Sequence, residues 1–349
     1  MEYTSVLKDI STYPGISGRE ERFSKYIKGM FDKYCDETTI DNFYNVIGIK
    51  KGSSYNNKKI MIAAHLDEIG MMVVGIEKKG FIRFSNIGGI DAKILLAQEV
   101  VVHGKKDILG VIGAKPPHLL KASDAKKAVK IQDLSIDTGL SEDEVREYIS
   151  IGDVISFKAK PLLLKNKKFS SKSLDNRAGV AVLIDIMKKL KKIHHECDVY
   201  FVATSQEEVG LRGATVAAYN VRPDVAVVID ACHGAIPEVS KDSVFKLGKG
   251  PAIAVGPNLH MNLTKKIIDI AKEENIPYQI EPSPGNTGTD AWAIQVSRTG
   301  IPTVLVSIPL KYMHTTVETL HLDDIKYSGK LVSKFILSID SETGGISCC

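Results

Sequence analysis

The sequence predicts an α/β protein: a mixed sheet with helices on both faces, carrying an inserted small β-barrel-like domain. Three observations lead there. After Lys165, apolar runs alternate with amphipathic segments such as residues 176–193, the pattern of strands and helices in turn. Runs such as V-A-V-V-I-D, ending at Asp230, are apolar throughout, as in strands buried on both faces. From Gly70 to Lys165 the texture changes to short β-rich runs separated by Gly and Lys turns, the spacing of a small barrel or sandwich.

At 349 residues the chain exceeds one average domain, so two domains or one with a large insertion is expected. A 44% hydrophobic content suits a soluble globular protein with a sizeable core. The net charge of +4 makes no case for nucleic acid or a membrane surface as partner. Lys188, Lys189, Lys191 and Lys192 fit the solvated face of a helix. The start M-E-Y-T-S-V-L-K-D-I lacks the basic and apolar regions of a signal peptide, and no window has the length of a transmembrane helix. Cys35, Cys197, Cys232, Cys348 and Cys349 show neither disulfide nor zinc-finger spacing, so a reducing cytoplasm is expected.

In chain order, residues 1–35 read as two helices around a turn at Tyr13, Pro14 and Gly15. The second is expected to start in a capping box of Ser17 and Glu20. Strands follow at 45–50 and 59–64. Within the insertion, strands are expected at 71–76, 81–84, 99–103 and 154–157, with one helix at 142–149 capped by Ser141. Beyond it come helices at 176–193, 212–219, 261–274, 290–296 and 323–339. Strands are expected between them at 199–203, 226–230, 278–280 and 302–307. The domain boundaries implied are 1–69, 70–165 and 166–349, the first and last forming one domain.

Candidate metal ligands recur where strands end or helices begin, the edge where α/β folds place their chemistry. His65 and Asp67, two apart at a strand end, project to one side. Asp175 opens a helix, Glu207 and Glu208 follow the next strand, Asp230 ends another, and His314 follows the last. One such residue is ordinarily structural or exposed, but five successive sites are hard to produce by accident. Two histidines and three carboxylates suit a pair of zinc-like ions. Such a pair polarises a carbonyl and lowers the pKa of a shared water, while a separate carboxylate moves the proton. Asp67 fits a supporting role, accepting a hydrogen bond from His65 or a neighbouring ligand. Glu207 and Glu208 point to opposite sides of an extended chain and so divide the work, but spacing leaves open which is the base.

In order, A-H-L-D-E-I-G-M-M-V, S-L-D-N-R-A-G, S-Q-E-E-V-G-L-R-G-A, G-N-T-G-T-D-A-W and Y-M-H-T-T-V-E resemble the M42 metallo-aminopeptidases over nearly the whole chain. That family includes glutamyl aminopeptidases and TET peptidases, with some members labelled endoglucanases. The resemblance implies a dinuclear zinc or cobalt peptidase that releases single residues from peptide N-termini. It also implies an inserted dimerisation domain and a homo-oligomer built from dimers, up to a tetrahedral dodecamer. It implies His65 and Asp230 on one ion, Glu208 and His314 on the other, Asp175 bridging, Glu207 as general base and Asp67 supporting His65. The family often has R-Y-M-H-T-P where this chain has Lys311 and Thr316, keeping Thr315; lysine lacks arginine's bidentate fork.

An amidase or deacylase using the same ions is the nearest alternative activity. A glycosidase built on Glu207 and Asp67 would leave His65, Asp230 and His314 without a task. A non-catalytic scaffold would not be expected to keep the whole set. His103, His118, His194, His195, His260 and His321 lack motif partners and read as surface or core residues. His233 would lie near the ions, and Cys232 reads as packing because no base pairs with it. The loop from Pro284 to Trp292 has neither a P-loop lysine nor a dinucleotide fingerprint. It reads as a wall of the substrate pocket, with Asp290 a candidate cap for the next helix.

Overall fold

A computed structural model describes residues 3–53, 58–116, 118, 128–240 and 244–339. Two helices, α1 (Tyr3–Thr12) and α2 (Glu21–Phe31), bury Leu7, Ile10, Phe23, Ile27 and Phe31. The capping box expected from Ser17 and Glu20 does not form. Ser17 Oγ donates instead to Asp67 Oδ2 at 2.5 Å, and Glu20 accepts from the N–H groups of Gly18 and Gln206. Distant buried partners win both side chains away from the local pairing. Three strands follow: β1 (Glu37–Ile40), β2 (Val46–Lys50) and β3 (Lys59–His65). The first escapes sequence reading because E-T-T-I offers one aliphatic side chain and is at most half-buried.

The next segment contains β4 (Gly70–Ile76), β5 (Ile82–Ile87), β6 (Glu99–His103), β7 (Asp107–Gly113), β8 (Ser135–Asp137), α3 (Glu142–Tyr148) and β9 (Val154–Phe157). The six strands close into a barrel in the order β4-β5-β8-β7-β6-β9, which leaves no open edge. Every second residue of β7 is buried, and Val73, Phe84, Val102, Ile136 and Ile155 fill the interior. Ser141 and Glu144 form the reciprocal cap of α3.

The remaining elements are β10 (Leu162–Leu164), β11 (Lys168–Ser171), α4 (Leu174–Leu190), β12 (Asp198–Thr204), α5 (Arg212–Val221), β13 (Val225–His233), β14 (Ala252–Val255), α6 (Met261–Glu273), β15 (Gln279–Pro282), α7 (Asp290–Ile294), β16 (Thr303–Leu310), β17 (Glu318–His321) and α8 (Leu322–Leu337). The main sheet has eight strands in the order β1-β2-β12-β3-β13-β16-β14-β15. Its central strands β12, β3, β13 and β16 are parallel, while β2 and β14 run against their neighbours β12 and β16. One face packs on α1, α2, α4, α6 and α8, the other on α5 and α7. A three-stranded sheet, β10-β11-β17, adjoins it.

Because the four central strands are parallel, their C-terminal ends share one edge. Thr204 lies opposite His65, and Asp230 opposite Ser307. β13 runs three residues beyond its expected end, so Asp230 lies inside the strand rather than at its tip. α4 starts at Leu174, yet Asp175 (φ −79°, ψ 106°) and Asn176 depart from helical backbone, and the peptide between them is cis. Among the described residues no helix is long and apolar enough to cross a membrane. Cys35, Cys197 and Cys232 are unpaired; Cys348 and Cys349 lie outside the described residues.

Candidate metal centre

His65 ends β3 with its ring buried. Nε2 is 3.2 Å from Asp175 Oδ1, 3.8 Å from Asp230 Oδ1 and 3.9 Å from Glu207 Oε2. Its Nδ1 lies 3.3 Å from the backbone carbonyl of Asp67. A carbonyl can only accept, so Nδ1 carries the hydrogen and Nε2 is the atom turned to the carboxylates. His314 repeats this arrangement from the loop before β17. Nδ1 is 2.9 Å from the Gly89 carbonyl, while Nε2 is 3.4 Å from Asp175 Oδ2 and 3.3 Å from Glu208 Oε1. Gly89 belongs to the segment between β5 and β6, and a Cβ there would come within 3.1 Å of His314 Nδ1. The barrel thus reaches into the site at a point where only glycine fits comfortably.

Asp175 lies between the two rings, one carboxylate oxygen toward each. Glu207 and Glu208 lie just past β12, where the chain enters a turn instead of staying extended; Glu208 is nearest His314, yet ligand atoms of His65, Glu207 and Glu208 also fall within 4.8 Å of one another. Three left-handed residues flank these groups: Ser173 (φ 58°), Gln206 (φ 53°) and His314 itself (φ 62°). Non-glycine backbone in that region is strained, and it persists where surrounding contacts over-determine it.

Asp67 is fully buried, with Oδ1 3.6 Å from His65 Nδ1. Oδ1 accepts from the Glu207 N–H at 3.1 Å; Oδ2 accepts from the Glu208 N–H at 3.2 Å and from Ser17. Three further carboxylates that sequence reading did not place at the site complete the surroundings. Glu318 is buried and accepts from the backbone N–H of both Asp175 (3.0 Å) and His314 (2.8 Å). Glu68 is buried against Lys172, Ser173 and Arg177. Asp290 does not cap α7, a place taken by Thr289; it accepts from Thr204 Oγ1, and its Oδ1 is buried without a partner. The Y-M-H-T-T-V-E motif held the one available signal, for Glu318, a carboxylate four residues beyond a candidate ligand.

The other histidines have ordinary tasks. His260 and His321 cap α6 and α8, His195 is buried against the Cys197 carbonyl, and His103 bonds Asp107 and Ser156. His194 bonds Ser53, while His118 and His233 are exposed. Thr315 closes the turn behind His314 by donating to the Tyr312 carbonyl at 2.6 Å, and Thr316 reaches Gln98.

Charge is badly out of balance. Burial works to lower His314, but Asp175 and Glu208 carry it up to about 11. Burial likewise opposes protonation of His65, and Glu207, Asp175, Asp67 and Asp230 outweigh it, leaving the ring well above its ordinary value. Burial pushes Glu207 up to about 10, with Asp230, Asp290 and Glu208 overcoming the pull of His65. Asp230 and Glu208 are raised mainly by burial, and Asp290 reaches about 6 for the same reason. Burial would raise Asp175 too, yet hydrogen bonds from His314 and His65 hold it low. No Lys or Arg among the described residues ion-pairs with Asp175, Glu207, Glu208, Asp230 or Asp290. Ligand atoms of His65, Asp175 and Asp230, and of Asp175, Glu208 and His314, lie within 4.8 Å of one another in each group. Imidazole nitrogens and carboxylate oxygens that converge without a cation suit a divalent ion.

A sequence profile of the M42 glutamyl aminopeptidase family matches residues 45–331. The lysyl aminopeptidase of Pyrococcus furiosus is 36% identical over 336 residues, covering 95% of this chain and 96% of that protein. The crystal structure of a TET aminopeptidase from a marine sediment archaeon of the Thaumarchaeota superposes with a TM-score of 0.94 at 34% identity, covering 99% of this chain and 100% of that one. The TET1 peptidase of Pyrococcus horikoshii, which assembles into a tetrahedron or a large octahedral shell, gives a TM-score of 0.85 at 36% identity, with 97% and 100% covered. With its motifs, its sheet edge and these relatives in agreement, the chain belongs to the M42 glutamyl aminopeptidase family and is an enzyme of the aminopeptidase class, a hydrolase of peptide bonds.

Proposed function

We propose that the protein removes single residues from peptide N-termini with two divalent ions, zinc or cobalt. The observation that carries this is Asp175, whose Oδ1 lies 3.2 Å from one imidazole and whose Oδ2 lies 3.4 Å from the other. His65 and Asp230 would hold one ion, Glu208 and His314 the second, and Asp175 would span both. Such ions, when bound, polarise the scissile carbonyl and lower the pKa of the attacking water. Glu207 takes the water's proton at Oε2 and returns it to the leaving nitrogen. Asp67 holds Glu207 and Glu208 in place through their backbone N–H groups. Glu318 does the same for Asp175 and His314, with the N–H bonds to its carboxylate fixing both main chains.

The same reading divides the chain at 1–69, 70–165 and 166–349 and makes the middle segment a dimerisation domain. Exposed apolar side chains on β7, Leu109 at 59% and Val111 at 50%, support a contact surface there. Dimers would assemble into a tetrahedral dodecamer, in a cytoplasm that suits three unpaired cysteines.

The test is release of N-terminal residues from a peptide library before chelation, after it, and after zinc or cobalt is restored. Release should vanish with the metal and return with it. Full activity in protein shown to be metal-free would end the proposal. Light scattering distinguishes a dimer from a dodecamer.

A further inference from the structure

We propose that Glu281 forms the floor of the pocket for the side chain of the substrate's N-terminal residue, and that this pocket selects lysine and arginine. The inference rests on the aminopeptidase reading and names its substrate class.

Sheet register places the carboxylate. Asp230 on β13 pairs with Ser307 on β16, Ser307 pairs with Ala252 on β14, and Ala254 pairs with Glu281 on β15. Paired residues project to the same face, as do residues two apart on one strand. Asp230, Ser307 and Glu281 therefore stand on a single face, the one covered by α5 and α7. The Ser307 hydroxyl donates to Glu281 Oε2 at 2.7 Å, drawing the carboxylate along the sheet toward Asp230. Residues 283–289 connect β15 to α7, the helix that covers this face.

Glu281 is poorly compensated. Ser307 is its single hydrogen-bond partner among the described residues, its Oε1 has none, and no Lys, Arg or His there pairs with it. Burial raises its pKa against that one hydrogen bond. A carboxylate so placed is completed by a cation, gains nothing from an aliphatic side chain, and repels an acidic one. A substrate held at Asp230 by its reacting end would bring the ammonium or guanidinium of a long N-terminal side chain toward Glu281.

The experiment uses metal-loaded full-length protein and tetrapeptides X-Ala-Ala-Ala in which X is Lys, Arg, norleucine or Glu. Wild type should release Lys and Arg with kcat/KM about tenfold or more above norleucine, with Glu slowest. Glu281→Gln should lose Lys and Arg release about tenfold more than norleucine release, through KM, and Glu281→Asp should restore part of the preference. Equal handling of Lys and norleucine by wild type, or equal loss on both in Glu281→Gln, overturns the assignment. Calorimetric binding of L-lysinamide and L-norleucinamide reads the pocket without turnover. If no peptide is cleaved yet L-lysinamide binds tighter in wild type and not in Glu281→Gln, the peptidase reading falls and the pocket stands. Equal binding of the two amides overturns the pocket whatever the peptides do.

Discussion

Asp67 holds Glu207 by its backbone: Oδ1 accepts the Glu207 N–H at 3.1 Å, so a buried carboxylate sets where the neighbouring chain begins its turn. Asparagine at this position would set an NH2 group against one of the N–H donors that the carboxylate now satisfies. Asp67→Asn is therefore expected to lower kcat about 10–100-fold with KM little changed, the range for loss of a ligand-orienting partner. Steady-state kinetics checks it, and a wild-type kcat would show that Asp67 does not act through the turn.

Glu207→Gln keeps shape and removes the proton acceptor. The expected result is a 10²–10⁴-fold fall in kcat, roughly the span of general-base contributions, with metal content per chain unchanged. Metal analysis of the purified variant distinguishes this from loss of the ions. A variant as active as wild type would assign the proton to another group.

Glu318→Gln replaces one of two accepting oxygens with a donor, so either the Asp175 or the His314 N–H loses its bond in a buried place. A buried donor left unpaired costs about 1–3 kcal/mol. Thermal unfolding of the metal-free variant should register that loss. Because the two main chains it joins carry candidate ligands, chelator competition should also reveal metal affinity weakened by about 10–100-fold. Unchanged affinity would reduce Glu318 to a purely structural role.

Stability toward acid should depend on Glu68. Burial opposes ionisation there, but Lys172 and Arg177 outweigh it and hold the carboxyl down to about 2, against an ordinary 4.5. Lys172, by contrast, falls to about 8, since burial and the neighbouring Arg177 outweigh its attraction to Glu68. One anion gains from two cations, while each cation bears the repulsion of the other, so both shifts follow from the same trio. For Glu68 the folded pKa is depressed, so its stabilisation is complete above pH 4.5 and is lost as pH falls through about 2. Glu68→Gln is expected to cost about 3–5 kcal/mol at neutral pH by leaving buried cations uncompensated. Urea midpoints of wild type and variant should converge between pH 4.5 and 2. A gap that stays constant through that window would contradict the ion-pair account.

Most ligand candidates were legible because strand ends mark them: His65, Glu207, Glu208, Asp230 and His314 close or follow apolar runs, whereas Asp175 was marked by a helix start, and a period of two says which side chains share a side. The α/β alternation was legible for the same reason, and the barrel from its short, evenly punctuated strands. What escaped depends on contacts far apart in sequence. Ser17 and Glu20 carry a genuine local capping signal, but Asp67 and Gln206 claim their side chains from 50 and 186 residues away. Glu68 and Asp290 look like ordinary charged residues until Lys172 and Thr204 are seen against them. β10 and β17 are three and four residues long and take their conformation from β11 between them, so no periodicity announces them.

The Gly89 carbonyl determines which nitrogen of His314 bears hydrogen, and Gly89 lies between two strands of the barrel. A chain trimmed of the barrel could still close its eight-stranded sheet, yet the imidazole would be free to swap tautomers and swing. Any engineering that treats the inserted module as a detachable handle would therefore be expected to return a folded but impaired hydrolase. Through that one carbonyl, the His314 ring leans on the barrel.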